Sequence, residues 1–356
     1  MSVEALEERE AVIRHRLGLP PANLESLLRT AAGPWWFARL EQLTRALFKA
    51  RDAHFKHPHR LVRKGPTLNE IVAGTLPAAN VNARVLPDHR GRYRIIVVDE
   101  TVFVFSFLVS QLFFAALVPN GPDRRSMDRD RRAEHLRANS WIGAQAVTLF
   151  RTYVRDGHLR GVPALQLDPV HEPGIAVSVT AVQLFVIGHE LAHCFQPTGC
   201  EWVPPIGMEN ALIEWQRELD ADISGLQLAI QAGLDQGWGD EIIVEKTLQF
   251  LFGMGMLEAA IGKDIFKVIQ EAQLLREARA RGDEAPPTTS HPPFMFRYAQ
   301  LRQGAEYLVS PERVEQTRRL IQESHALMQD VLAPMIDAMR KDVAAGLLPH
   351  PIWREN

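Results

Sequence analysis

Cysteine is nearly absent from this chain. Two residues in 356, Cys194 and Cys200, are too few for a disulfide framework, so the fold must rest on packing. A strong charge of either sign is also missing: 40 basic and 43 acidic side chains leave a net charge of −3. That balance gives no reason to expect nucleic acid or an anionic membrane as partner. No basic, apolar and small-residue series opens the sequence, so no secretory signal is read there and the cytoplasm is the expected compartment. Long apolar runs are scarce. Val102 to Val118 is free of charge and is read as the one candidate for a membrane span. A helix of that length covers about 25 Å where a hydrocarbon core is about 30 Å thick. Ser106, Ser110 and Gln111 also interrupt it, so a buried core helix is expected and no membrane span. Internal repeats are lacking. What remains is ordinary: 46% hydrophobic and 23% charged residues, suited to a globular protein with a sizeable core.

Along the chain, Val3 to Leu17 has the pattern of a charged helix ended by Gly18-Leu-Pro-Pro21. Short helices are expected over 23–30 and after Trp36, the latter with Leu40, Leu43, Leu47 and Phe48 on one stripe. Arg51 to Lys64 carries three arginines, two lysines and three histidines (His54, His57, His59) against one aspartate, and is read as a solvated linker. Asn80 to Leu86 and Arg92 to Val98 are strand-like runs around Pro87-Asp-His-Arg-Gly91, the pattern of a β-hairpin whose free edge can pair with an extended peptide. Asp128 to Asp156 reads as one long helix, followed by a proline-marked loop from Gly161 to Gly174 in which His171 is a surface residue. Beyond it lie helices over 241–262 and 263–281, then a long one over 311–345 containing Pro334. That last helix packs either on the core or on a second subunit.

The chemistry concentrates in Val186-Ile-Gly-His-Glu-Leu-Ala-His-Cys-Phe195. His189 and His193 are four apart, so on a helix their imidazoles sit one above the other and can reach one metal ion, with Glu190 beside it. A zinc ion held by two neutral imidazoles needs a third protein ligand and a position for a water that an adjacent carboxylate can deprotonate. This is the H-E-x-x-H pattern. The helix is expected from about Ser178 to Phe195, and its apolar residues leave little polar surface. Burying two histidines and a glutamate in it without partners is costly, and a metal satisfies them. Cys194 points about 100° away from the ligand face. Cys200 can reach the fourth zinc position only as an inhibitory ligand.

The missing ligand is found in Glu214-Trp-Gln-Arg-Glu-Leu-Asp-Ala-Asp222. Glu218 and Asp222 share a helix face at the same spacing of four. That is the arrangement expected if Glu218 coordinates the metal and Asp222 accepts a hydrogen bond from the free nitrogen of a bound histidine. The alternative is a solvated acidic face.

With both motifs in order, the chain resembles the gluzincin metallopeptidases, in which H-E-x-x-H on one helix and E-x-x-x-D on the next supply the site. Glu218-Leu-Asp-Ala-Asp222 is similar to the E-x-x-A-D of the CaaX-prenyl-protease and heat-shock-protease HtpX type, or of their compact soluble relatives. Ser290-His-Pro-Pro-Phe-Met-Phe-Arg297 resembles a third motif of that group. The resemblance implies zinc on His189, His193 and Glu218, one ion per chain, with Glu190 as general base and proton donor. By the same resemblance Asp222 orients His189, His291 stabilises the oxyanion and Arg297 shapes the site. The implied activity is endopeptidase action on a protein or peptide. The expected fold is α+β and mostly α, a zincin-like core with a small sheet or β-hairpin and extra helices at both ends. Its parts are a helical extension over 1–66, a catalytic domain over 67–308, and a long helix and tail over 309–356. The rival reading is a zinc-stabilised interaction or regulatory module without peptidase activity.

Overall fold

The computed structural model describes residues 42–50, 67–76, 83–87, 94–117, 129–156, 159, 161–195, 210–261 and 292–347. The helices expected over 3–17, 23–30 and 263–281, the basic stretch 51–64, Cys200 and His291 lie outside the described residues. The described chain is mostly helical. Its helices are α1 (42–50), α2 (Glu100–Ala116), α3 (Arg129–Ala138), α4 (Trp141–Asp156), α5 (Glu172–Phe195), α6 (Asn210–Leu234), α7 (Asp240–Ala260), α8 (Phe294–Ala305) and α9 (Val314–Ala344).

Three strands, β1 (Ile71–Leu76), β2 (Ala83–Pro87) and β3 (Arg94–Asp99), form a sheet in the order β1-β3-β2. β3 runs antiparallel to β2, with Val85 opposite Ile96, and parallel to β1, with Ala73 opposite Ile96. Ile71, Ala73, Ala83, Ile96 and Val98 are buried. Their spacing of two puts them on one face of the pleat, and α5 lies against β2 and β3.

α5 is the centre of the molecule. It packs on α2, α6 and α7, and from Thr180 to Ala192 every residue is buried. It is also the one helix among the described residues, taken with the turn Pro169–His171, that is long and apolar enough to cross a membrane. The sequence reading gave that place to 102–118, of which 102–116 lie in α2. α2 is shorter, and it packs with α5 inside the protein. Aromatic rings tie the layers together: Phe105 of α2 meets Phe150 at 5.3 Å and Tyr153 at 5.6 Å on α4, and Phe250 at 6.5 Å on α7.

Two helix boundaries correct the sequence reading. α5 begins at Glu172, not near Ser178, because Asp168 accepts from the Val170 N–H at 2.9 Å and starts the turn, with Pro169 at its first position. Pro173 then sits in the first turn of α5, where proline lacks only an N–H that has no helical partner. The expected single helix over 128–156 is two. Asn139 donates through Nδ2 to the His135 carbonyl at 3.0 Å, and this local side-chain bond competes with continuation of the helix. Ile142 N–H then bonds back to the Asn139 carbonyl and starts α4.

The long C-terminal helix α9 packs on α7 and α4, which answers where its apolar side goes. Pro334 lies inside it. Its ring faces Gly143 of α4, where an added Cβ would stand 3.3 Å from the proline Cγ. Gly346, at φ 73°, closes the helix in the left-handed region that glycine adopts without cost.

Candidate metal centre

The site is built where α5 crosses α6. His189 and His193 project from α5 with their Nε2 atoms 3.0 Å apart. Glu218 of α6 approaches both, 3.4 Å from His189 Nε2 through Oε2 and 3.4 Å from His193 Nε2 through Oε1. Glu190 follows on α5, with Oε1 3.9 Å from His189 Nε2. One turn beyond Glu218, Asp222 is fully buried and places Oδ1 2.9 Å from His189 Nδ1. The structure thus brings Glu218 and Asp222 to the two different nitrogens of the same imidazole. Neither belongs to a solvated face.

The third element is α8. Arg297 donates through Nε and Nη2 to the two carboxylate oxygens of Asp222, at 2.8 and 2.5 Å, a fork that fixes the aspartate plane. α8 is held in place by α7: Glu258 accepts from the Phe294 N–H at 2.7 Å, and Gly255 lies so close that a Cβ there would sit 2.9 Å from the Met295 nitrogen. Pro292 and Pro293 open α8 and are buried. His291 immediately precedes them, outside the described residues.

The donor set fits a divalent ion. One ligand atom from each of His189, His193 and Glu218 lies within 4.8 Å of the others. An ion bound tetrahedrally at 2.0–2.1 Å spaces its ligands by about 3.3–3.4 Å, close to the 3.0, 3.4 and 3.4 Å separations seen here. The charges agree. Among the described residues at the site, the three buried carboxylates of Glu190, Glu218 and Asp222 face one buried guanidinium, that of Arg297, and a dication would balance the excess.

Burial works against a charge on His189, yet hydrogen bonds to Asp222 and Glu218 outweigh it and raise its pKa to about 9. Asp222 is opposed by burial too, but Arg297 holds its carboxyl below the usual carboxylate range. Burial first, and then Glu190, push the Cys194 thiol up to about 12. Cys194 donates instead to the Glu190 carbonyl at 3.5 Å and stands apart from the ligand group. His171 is no ligand either: it packs against Phe114 with ring centroids 5.8 Å apart.

Sequence reasoning missed Gly188 and Gly225. These glycines put the backbones of α5 and α6 in direct contact beside the ligands: a Cβ on Gly225 would lie 2.6 Å from the His189 nitrogen. The signal was present, since a glycine inside a helix costs about 1 kcal/mol relative to alanine and one stands immediately before His189. No protein-family model matches this chain, and no curated protein or solved structure matches it either.

Proposed function

We propose that this chain is a zinc-dependent endopeptidase on a zincin-like core of the gluzincin type, hydrolysing protein or peptide substrates in the cytoplasm. The observation that carries the reading is the convergence of His189, His193 and Glu218, with Glu190 beside His189 at 3.9 Å. His189, His193 and Glu218 would hold one zinc per chain. When bound, zinc supplies Lewis acidity, polarising a peptide carbonyl and lowering the pKa of a water to about 7. Glu190, beside the ligand group, would accept a proton from the attacking water as its oxygen bonds to the peptide carbon, and would return that proton to the leaving amine as the C–N bond breaks. Asp222 keeps the His189 proton on Nδ1, leaving Nε2 as an electron-pair donor, and Arg297 keeps Asp222 ionised and oriented. His291 is assigned to the oxyanion by motif resemblance alone.

The test is elemental analysis of zinc per chain, together with peptide hydrolysis, on the wild type, Glu190→Gln and Glu218→Ala. The wild type and Glu190→Gln are expected to carry about one zinc each. Hydrolysis by Glu190→Gln should fall by about 10²–10⁴, the usual contribution of a positioned acid–base group. Glu218→Ala should lose or weaken zinc. Full activity in Glu190→Gln removes the mechanism, and a wild type with no transition metal removes the whole reading.

The second reading, a zinc-stabilised interaction module, is favoured by the burial of Glu190, 6% exposed. It predicts bound zinc with no hydrolysis of any peptide, so the same assays separate the two.

A further inference from the structure

Gly188 and Gly225 lie where the backbones of α5 and α6 are in direct contact. A Cβ added to Gly188 would stand 2.8 Å from the Gly225 carbonyl oxygen and 3.2 Å from its Cα. A Cβ added to Gly225 would stand 2.6 Å from the His189 nitrogen, 2.8 Å from its Cα and 3.0 Å from the Gly188 carbonyl carbon. Every one of these neighbours is backbone, so no side chain can swing aside to make room. Carbon atoms pack at about 3.5–4.0 Å, so a methyl group at Gly225, 2.8 Å from the His189 Cα, drives the two helices apart by roughly 1 Å, and one at Gly188, 3.2 Å from the Gly225 Cα, by less.

The location makes that displacement consequential. Gly188 directly precedes His189. Gly225 lies three residues after Asp222 and seven after Glu218, on the same face of α6. We propose that Gly188 and Gly225 are positioning residues of the metal centre, setting the α5–α6 separation at which the two histidines and Glu218 can share one ion. The inference rests on the metal-centre part of the function proposed above and is independent of peptidase activity.

The Glu218 oxygens are 3.4 Å from both imidazole nitrogens, and a tetrahedral site needs about 3.3–3.4 Å. An opening of roughly 1 Å takes those edges beyond the reach of one ion. It also stretches the 2.9 Å contact between Asp222 and His189 past hydrogen-bond range, which ends near about 3.5 Å. Both the third ligand and the carboxylate that orients the first ligand are carried by α6. A single methyl group at the crossing displaces them together.

The experiment uses the full chain with Gly225→Ala and Gly188→Ala, and with Gly304→Ala as control. Gly304 lies in a helix, and nothing stands within 4 Å of a Cβ placed there. Zinc affinity is measured by chelator competition, and Tm with and without added zinc. The visible spectrum of the cobalt-substituted protein reports tetrahedral coordination. Gly225→Ala is expected to lose at least 10- to 100-fold in zinc affinity, the range for disturbed supporting groups. It should also lose the zinc-dependent rise in Tm and the intense cobalt bands. Gly188→Ala should shift in the same direction by less, since its closest contact is longer, and it provides the measurement if Gly225→Ala does not fold. The control should match the wild type. A merely structural role would lower Tm with and without zinc equally, leaving affinity and the cobalt spectrum intact, and that outcome overturns the proposal. A wild type that binds no zinc instead removes the metal centre itself, with or without alanines at the crossing.

Discussion

At the scale of single residues, the site is a relay of orientation running from Arg297 through Asp222 to His189. The guanidinium fork fixes the carboxylate, and the carboxylate fixes which imidazole nitrogen carries the proton. Asp222→Asn keeps the shape but removes the charge. It also presents an amide that can turn its N–H₂ toward His189 Nδ1 and stabilise the wrong tautomer. Zinc affinity, read by chelator competition, should fall about 10- to 100-fold, with the helical circular dichroism unchanged; affinity equal to wild type would show that His189 is oriented by something else. Much of this was legible in sequence, because spacings of four on two helices put His189 with His193 and Glu218 with Asp222. Which histidine Asp222 serves came only from the motif resemblance, which named His189, since helical spacing says nothing about how two helices are rotated against each other. Arg297 was reachable only through a motif resemblance, because its contact with Asp222 joins positions 75 residues apart. The glycine crossing was hidden for a related reason: distance between helices is a tertiary quantity, and a lone glycine in a helical pattern is the only trace it leaves.

At the scale of elements, apolar periodicity located the helices, whereas their ends were decided by local polar bonds that periodicity does not contain. Asp168 and Asn139 moved two boundaries through single side-chain hydrogen bonds. β1 went unread, since Ile71–Leu76 is a short run with a central glycine and owes its place to pairing with β3, more than 20 residues away. A polar joint of the same kind sets the start of α7 against the turn before α9. Asp240 accepts from the Ser310 N–H at 2.8 Å and hydroxyl at 2.5 Å, while Arg313 bridges Asp240 and Glu241. Burial opposes the charge on Asp240, but the Ser310 bonds outweigh it and its pKa lies below the ordinary 3.8. A depressed carboxylate stabilises the fold fully above its unfolded pKa, and that contribution fades as pH falls through the folded value. Asp240→Asn should therefore cost about 1.5–3 kcal/mol at pH 7, measured by urea unfolding, and the gap to wild type should narrow below about pH 4. A constant gap across that range would mean that hydrogen-bond geometry, not charge, holds the joint.

At the scale of the whole molecule, the question is whether α9 is an appendage or part of the core. The sequence marked 309–356 as a separate piece because a long amphipathic helix follows a motif-bearing region, and amphipathicity shows that a face is buried without showing against what. In the structure, Leu320, Ile321, Leu327, Met328, Val331, Leu332, Met335 and Met339 are all buried within α9. They pack chiefly on α7 and α4, elements that also carry Phe250 and Phe150 of the central aromatic cluster. At about 1.5–3 kcal/mol for each buried large side chain, those eight residues contribute on the order of 12–24 kcal/mol before the entropy of ordering the helix is subtracted. Net stabilities of about 5–15 kcal/mol leave no margin for such a loss. Removing α9 should therefore abolish cooperative unfolding of what remains, seen as a broad or absent urea transition, and should expose the apolar faces of α7 and α4, seen as dye binding and aggregation. A soluble remainder that unfolds in one sharp transition would mean instead that α9 is docked on a core complete without it.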